Sequence, residues 1–139
     1  MFTVRSMERL RQRVQWLATA LTVLVPVALL WLGPKVMHKG LIPVPWDKLL
    51  HLLTFALLAL AVGLASRLRG AWAVLLAFAG AVLVGALDEW LQTGQPNRTA
   101  DWADFAANVT GAALGCLALV LLAERRDRRV RHPLNDDMD

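Results

Sequence analysis

At 139 residues the chain is long enough for one domain. Its composition, 57% hydrophobic and 19% charged with a mean hydropathy of +0.47, excludes an ordinary soluble domain, because the charges gather in short clusters between long apolar runs. The net charge of +4 does not indicate a nucleic-acid partner: most Lys and Arg flank apolar runs, where they set membrane orientation and meet anionic lipid head groups. A single cysteine, Cys116, lies in the last apolar run, which excludes an internal disulfide and a cysteine-based metal site.

The chain opens with a basic tail, residues 1–13, carrying Arg5, Arg9, Arg11 and Arg13 against Glu8, and its spacing can extend the following helix outward as an interfacial turn or two. From about Val14 to Leu32 the sequence is apolar enough to cross a bilayer, with Pro26 expected to kink the helix. A basic start before an apolar run also resembles a signal peptide, but the run is long and no small-x-small cleavage site follows, so an uncleaved first span is expected. Gly33-Pro34 is read as its end, and Pro43 and Pro45 as an extended return to the membrane. Asp47 is placed to cap a second span, about Lys48 to Ala65. After the basic turn Ser66 to Gly70, a third span runs from Ala71 to Leu87 or Leu91. A turn-rich loop, Thr93 to Thr99, leads to a fourth span that starts between Asp101 and Asp104 and ends near Ala123. The tail, residues 124–139, is arginine-rich and then acidic, with disorder expected at its end.

The expected fold class is therefore all-α, a four-transmembrane-helix bundle over residues 14–123. Basic residues of both tails and of the Arg67/Arg69 turn fall on one side of such a bundle, which makes both termini cytoplasmic by the positive-inside rule. Tryptophans agree: Trp16 and Trp72 mark the inner interface, and Trp31, Trp46, Trp90 and Trp102 the outer one. Trp72 to Trp90 measures about 27 Å of helix, close to the hydrocarbon thickness.

Outside the tails, every acidic residue belongs to the outer ends of spans two to four: Asp47, Asp88, Glu89, Asp101 and Asp104. Ionisable groups at membrane depth are costly and mark functional sites. Asp47 and His51, Asp88 and Gln92, and Asp104 and Asn108 are each i, i+4, so each of three helices presents a polar pair on one face. Phe55 continues the first stripe inward, and Gly111 and Gly115 continue the third with a GxxxG spacing suited to close helix approach. If those faces meet, an outward-opening polar pocket results. The bland readings differ by residue. Asp47 can be a cap, Lys48 an interfacial snorkeller, His51 a structural hydrogen-bonding group, and Asp104 a dipole-favoured acid. Asp88 and Glu89, near a helix C-terminus, oppose the macrodipole and need a partner: Arg98, Lys48, His51 or a cation.

The blocks Asp47-Lys48-x-x-His51-x-x-x-Phe55, Asp88-Glu89-x-x-Gln92 and Arg98-x-x-Asp101-x-x-Asp104-x-x-x-Asn108, followed by Gly111 and Gly115, resemble the VanZ-like family of small bacterial membrane proteins over roughly residues 14–123. The family takes its name from a member associated with resistance to the glycopeptide teicoplanin, which implies a cell-envelope role and no particular reaction. Three functions fit the cluster. It can bind an anionic lipid or a lipid-linked cell-wall or polysaccharide intermediate, with Lys48 and Arg98 holding phosphate and Asp47, Gln92, Asp101 and Asn108 lining the site. It can be an outer-leaflet enzyme on lipid-linked phosphate or glycan, with His51, Asp88, Glu89 and Asp104 as acid–base groups or ligands of a divalent metal. It can be a transporter or scramblase of lipid or small solute, completed as an oligomer. No H-E-x-x-H or G-x-S-x-G motif supports an enzyme of a familiar class.

Overall fold

A computed structural model describes residues 4–37, 43, 45–93 and 101–131, and among these the chain is entirely helical. The four helices are α1 (Val4–Met37), α2 (Trp46–Ala65), α3 (Ala71–Thr93) and α4 (Trp102–Arg131), each long and apolar enough to cross a membrane. Trp16, Trp31, Trp46, Trp72, Trp90 and Trp102 are all at least 61% exposed on the bundle surface, the position an interfacial aromatic belt requires.

Three of these helices form the core. Glycines on α4 explain why α2 and α4 are its most intimate pair. A Cβ on Gly111 would collide with the main-chain carbonyl of Leu52, and one on Gly115 with that of Ala56. The GxxxG spacing thus seats α4 on the backbone of α2, and the order of the pairs makes the two helices parallel. α3 runs against both: Gly85 near its end faces Phe55 and Asn108, while Val74 near its start accepts a weak contact from the Cys116 thiol. Its buried stripe, Ala73, Ala77, Ala81 and Gly85, repeats every four residues and is small enough to sit in the α2–α4 groove. Phe55, Leu58, Ala59, Ala112, Cys116 and Leu119 fill the interior.

α1 is peripheral. Its N-terminal half lines an apolar groove with the C-terminal half of α2, Val14 to Leu21 against Leu57 to Leu64, so the pair is antiparallel. Among the described side chains of α1 only Ala18 is buried, and Val25 and Leu29 pack against the core from outside. The start of α1, the α2–α3 turn and the end of α4 therefore share one end of the bundle, which gathers Arg5, Arg9, Arg11, Arg13, Arg67, Arg69, Arg125, Arg126 and Arg128. At the turn, Ser66 donates its backbone N–H to Val62 and its hydroxyl to Gly63, and Gly70 takes a left-handed φ of 60° before α3 begins.

Several boundaries differ from the sequence reading. α1 does not stop at Gly33-Pro34 but continues to Met37, while its start at Val4 carries the helix outward through the basic tail, the extension that the spacing there allowed. A proline removes one N–H and crowds one carbonyl, a cost that a long helix in an apolar setting absorbs. Asp47 is not the cap of α2: Pro45 holds that position without a side-chain hydrogen bond, and Asp47 sits inside the first turn. The arginine-rich segment past Ala123, read as the start of the tail, continues α4 as helix to Arg131. Straight-chain Arg and Glu are good helix formers, and an ion pair between Glu124 and Arg128 spans one turn at 3.9 Å. The proline segment between α1 and α2 apart from Pro43 and Pro45, most of the loop with Arg98, and residues 132–139 lie outside the described residues.

Candidate functional site

At the end opposite the arginines, six polar side chains are nearly withdrawn from the surface: His51 on α2, Asp88, Glu89 and Gln92 on α3, and Asp104 and Asn108 on α4. Taken as whole residues, Asn108 is fully buried and the other five are at most 6% exposed. Burial of this kind demands partners, and most come from a neighbouring helix.

Two rungs join the parallel helices α2 and α4. On the outer rung, Lys48 Nζ donates to Asp104 Oδ1 at 2.8 Å and to Asp101 Oδ2 at 3.0 Å, with Asp47 Oδ2 3.8 Å away. On the inner rung, His51 Nδ1 meets Asn108 Oδ1 at 2.9 Å. An amide oxygen only accepts, so with Asn108 in this orientation Nδ1 carries the proton, and in the neutral ring Nε2 presents a lone pair. Asn108 fits here because the facing residue of α3 is Gly85, where a Cβ would lie 3.2 Å from the Asn108 Cβ and 3.2 Å from the Phe55 ring.

α3 is tied in by its acids. Gln92 Nε2 donates to Asp88 Oδ2 at 3.0 Å one turn along the helix, and Glu89 Oε2 accepts the backbone N–H of Asp101 at 3.2 Å. Asp101 is a junction: its Oδ1 caps α4 by accepting the Ala103 N–H at 2.8 Å, its Oδ2 takes Lys48, and its main chain anchors Glu89. The Lys48 ammonium, together with the Ala103 N–H, holds the Asp101 carboxyl below the usual carboxylate range. Asp47 Oδ1 accepts the Lys48 N–H at 2.8 Å.

Three buried atoms are left without a protein partner among the described residues: His51 Nε2, Glu89 Oε1 and Asn108 Nδ2. They come from three different helices. His51, Asp88 and Glu89 also offer one ligand atom each within 4.8 Å of one another, the only such group among the described residues.

A family model described as VanZ/LLP1 matches residues 2–123. The chain belongs to the VanZ/LLP1 family. No curated protein and no solved structure matches it. With its four apolar helices, this VanZ/LLP1 protein is a multi-pass membrane protein.

Of the residues singled out in the VanZ/LLP1 sequence, Asp47, Lys48, His51, Asp88, Glu89, Gln92, Asp101, Asp104 and Asn108 gather at one end of the bundle; Arg98 lies outside the described residues. Two pairings differ from helical spacing alone. Asp104 and Asn108 each reach across to α2, and the ring of His51 is held by Asn108. Lys48 makes its ion pairs with Asp47, Asp101 and Asp104. The main-chain N–H of Asp101 that holds Glu89 has no signature in a sequence, since every residue other than proline carries one. The task of Gly85, making room for Asn108, emerges only with the packing.

Proposed function

We propose that this protein sits in the cytoplasmic membrane with both termini inside, residues 14–123 forming its functional domain. Its polar cluster would open outward as a pocket for the head group of an anionic lipid or a lipid-linked envelope intermediate. One observation carries the reading: His51 Nε2, Glu89 Oε1 and Asn108 Nδ2 are buried and unpartnered at one end of the bundle. Orphaned buried polar atoms cost about 1–3 kcal/mol each, and a polar ligand removes that cost. The arginine-rich opposite end supports the orientation by the positive-inside rule.

Lys48 is engaged by three acids, so the anion-holding part moves to Arg98 and to the amide donor of Asn108. Native mass spectrometry of the full chain with a polyprenyl phosphate probe tests this. Binding is expected to weaken at least ~10-fold in Arg98→Ala and in Asn108→Leu; wild-type affinity in both variants would reject the reading. Altered teicoplanin tolerance on expression is the cellular outcome that the family resemblance suggests.

A second reading, an outer-leaflet enzyme on lipid-linked phosphate or glycan, is favoured by the His51–Glu89 pair. Each side chain has one atom anchored and one left over, as acid–base work requires. Hydrolysis of such a lipid by wild-type protein, lost in a folded Glu89→Gln variant, is its expected result. Transport is less well supported: below the cluster the described core is Phe55, Leu58, Ala59, Ala77, Ala81 and Ala112, with no buried charge.

A further inference from the structure

We infer that His51, Asp88 and Glu89 form a binding site for one divalent transition-metal ion of the Mn²⁺/Zn²⁺ class. This deepens the reading of the cluster as a ligand site and rests on it. The three side chains offer ligand atoms within 4.8 Å of one another, a span that two ligands with metal bonds of about 2.0–2.6 Å can share across one ion. All three are buried, so none is a loosely held surface acid.

The hydrogen bonds around the cluster have the form that metal ligands require. A metal-binding imidazole donates its remote ring N–H to a fixed acceptor, which sets the tautomer and aims the other nitrogen. His51 does this with Asn108 Oδ1, and the nitrogen thereby aimed, Nε2, has no protein partner. Glu89 repeats the arrangement: the Asp101 N–H holds Oε2, and Oε1 has no protein partner. Asp88 is fixed through Oδ2 by Gln92. His51 and Glu89, each held at one atom and unpartnered at the other, are preorganised for something electrophilic.

Charge specifies its sign. Asp47, Asp88, Glu89, Asp101 and Asp104 share the region with Lys48, which is already paired with Asp101 and Asp104. Such a neighbourhood attracts a cation and, without one, repels an anionic head group; a bound cation reverses that. The donor set of one imidazole and two carboxylates selects the class, because Mg²⁺ and Ca²⁺ favour oxygen donors alone while Mn²⁺ and Zn²⁺ accept nitrogen as well.

The test uses the full chain in detergent, stripped with chelator and titrated with Mn²⁺ under electron paramagnetic resonance, with Zn²⁺ as competitor. One Mn²⁺ per chain is expected, displaced by Zn²⁺ and not by equimolar Mg²⁺, with affinity about 100-fold or more weaker in Glu89→Gln and Asp88→Asn. No stoichiometric binding, or binding that both variants retain, overturns the site. X-ray absorption of the Zn²⁺-loaded wild type needs no variant and decides the matter if a substitution unfolds the chain: one imidazole with oxygen neighbours is expected, and an all-oxygen shell rejects His51 as a ligand. Polyprenyl phosphate binding is measured separately with and without metal. Metal uptake without lipid binding leaves the ion site standing and removes the lipid reading, and lipid binding without metal uptake does the opposite.

Discussion

Lys48 and Asp104 show how a buried acid becomes tolerable at the mouth of a membrane bundle. The Asp104 side chain is 8% exposed and that of Lys48 is 30%, so their 2.8 Å contact is only partly screened by water. Lys48→Met keeps the length of the side chain and removes the ammonium, which leaves Asp104 without its main partner. A loss of about 2 kcal/mol is expected in detergent unfolding, with part regained in Lys48→Met/Asp104→Leu, where both charges are gone. Asp101 contributes a pH dependence of definite sign. Its carboxyl lies below the usual range in the folded protein because of Lys48. Its stabilising contribution is therefore full above the ordinary aspartate value of about 3.9 and is lost as pH falls through the lower folded value. Melting curves from neutral to acid pH should lose this step in Asp101→Asn, and an unchanged acid limb would disprove the junction role.

Among the helices, the α2–α4 seam decides the geometry of the site. Both cross-helix rungs lie directly above Gly111 and Gly115, where α4 touches the main chain of α2. A main-chain carbonyl cannot rotate away as a side chain does, so Gly111→Val or Gly115→Val must push the helices apart. We expect about 2 kcal/mol or more of destabilisation and, in whatever folds, disruption of the His51–Asn108 pair. Gly63 supplies the contrast, since the atoms nearest its added Cβ belong to the flexible side chain of Leu119. Gly63→Ala is expected to cost less than about 1 kcal/mol. Comparable melting points for the Gly63 and Gly111 variants would show that the seam is not backbone-tight.

Among the described residues the bundle is polarised along its axis, with the arginines at one end and the buried acids, histidine and amides at the other. The proposed orientation is open to a labelling experiment on intact cells in a Cys116→Ala background. Thr93, exposed at the end of α3, and Leu68, exposed in the α2–α3 turn, are replaced singly by cysteine. Thr93→Cys should react with a membrane-impermeant maleimide from outside, and Leu68→Cys only after permeabilisation; the reverse pattern would invert the topology and put the site in the cytoplasm.

Four spans, their approximate extents and the family were legible in the chain itself, because hydrophobic length and motif order are properties of a single strand of sequence. The polar pairs were legible too, since i, i+4 spacing places Asp88 and Gln92 on one helix face without reference to any neighbour, and the structure joins them at 3.0 Å. The helices run on past Gly33-Pro34 and Ala123, the ends read for their spans, because a local breaker or a run of charges competes with a helix that is already propagating. Partner choice across helices belonged to tertiary structure alone. Asp104 and Asn108 turn to α2 because Gly111 and Gly115 let two parallel backbones touch, and Glu89 is held by a peptide N–H that no residue type announces. Sequence determined which groups enter the membrane; only packing decided which atoms of those groups were left unpaired.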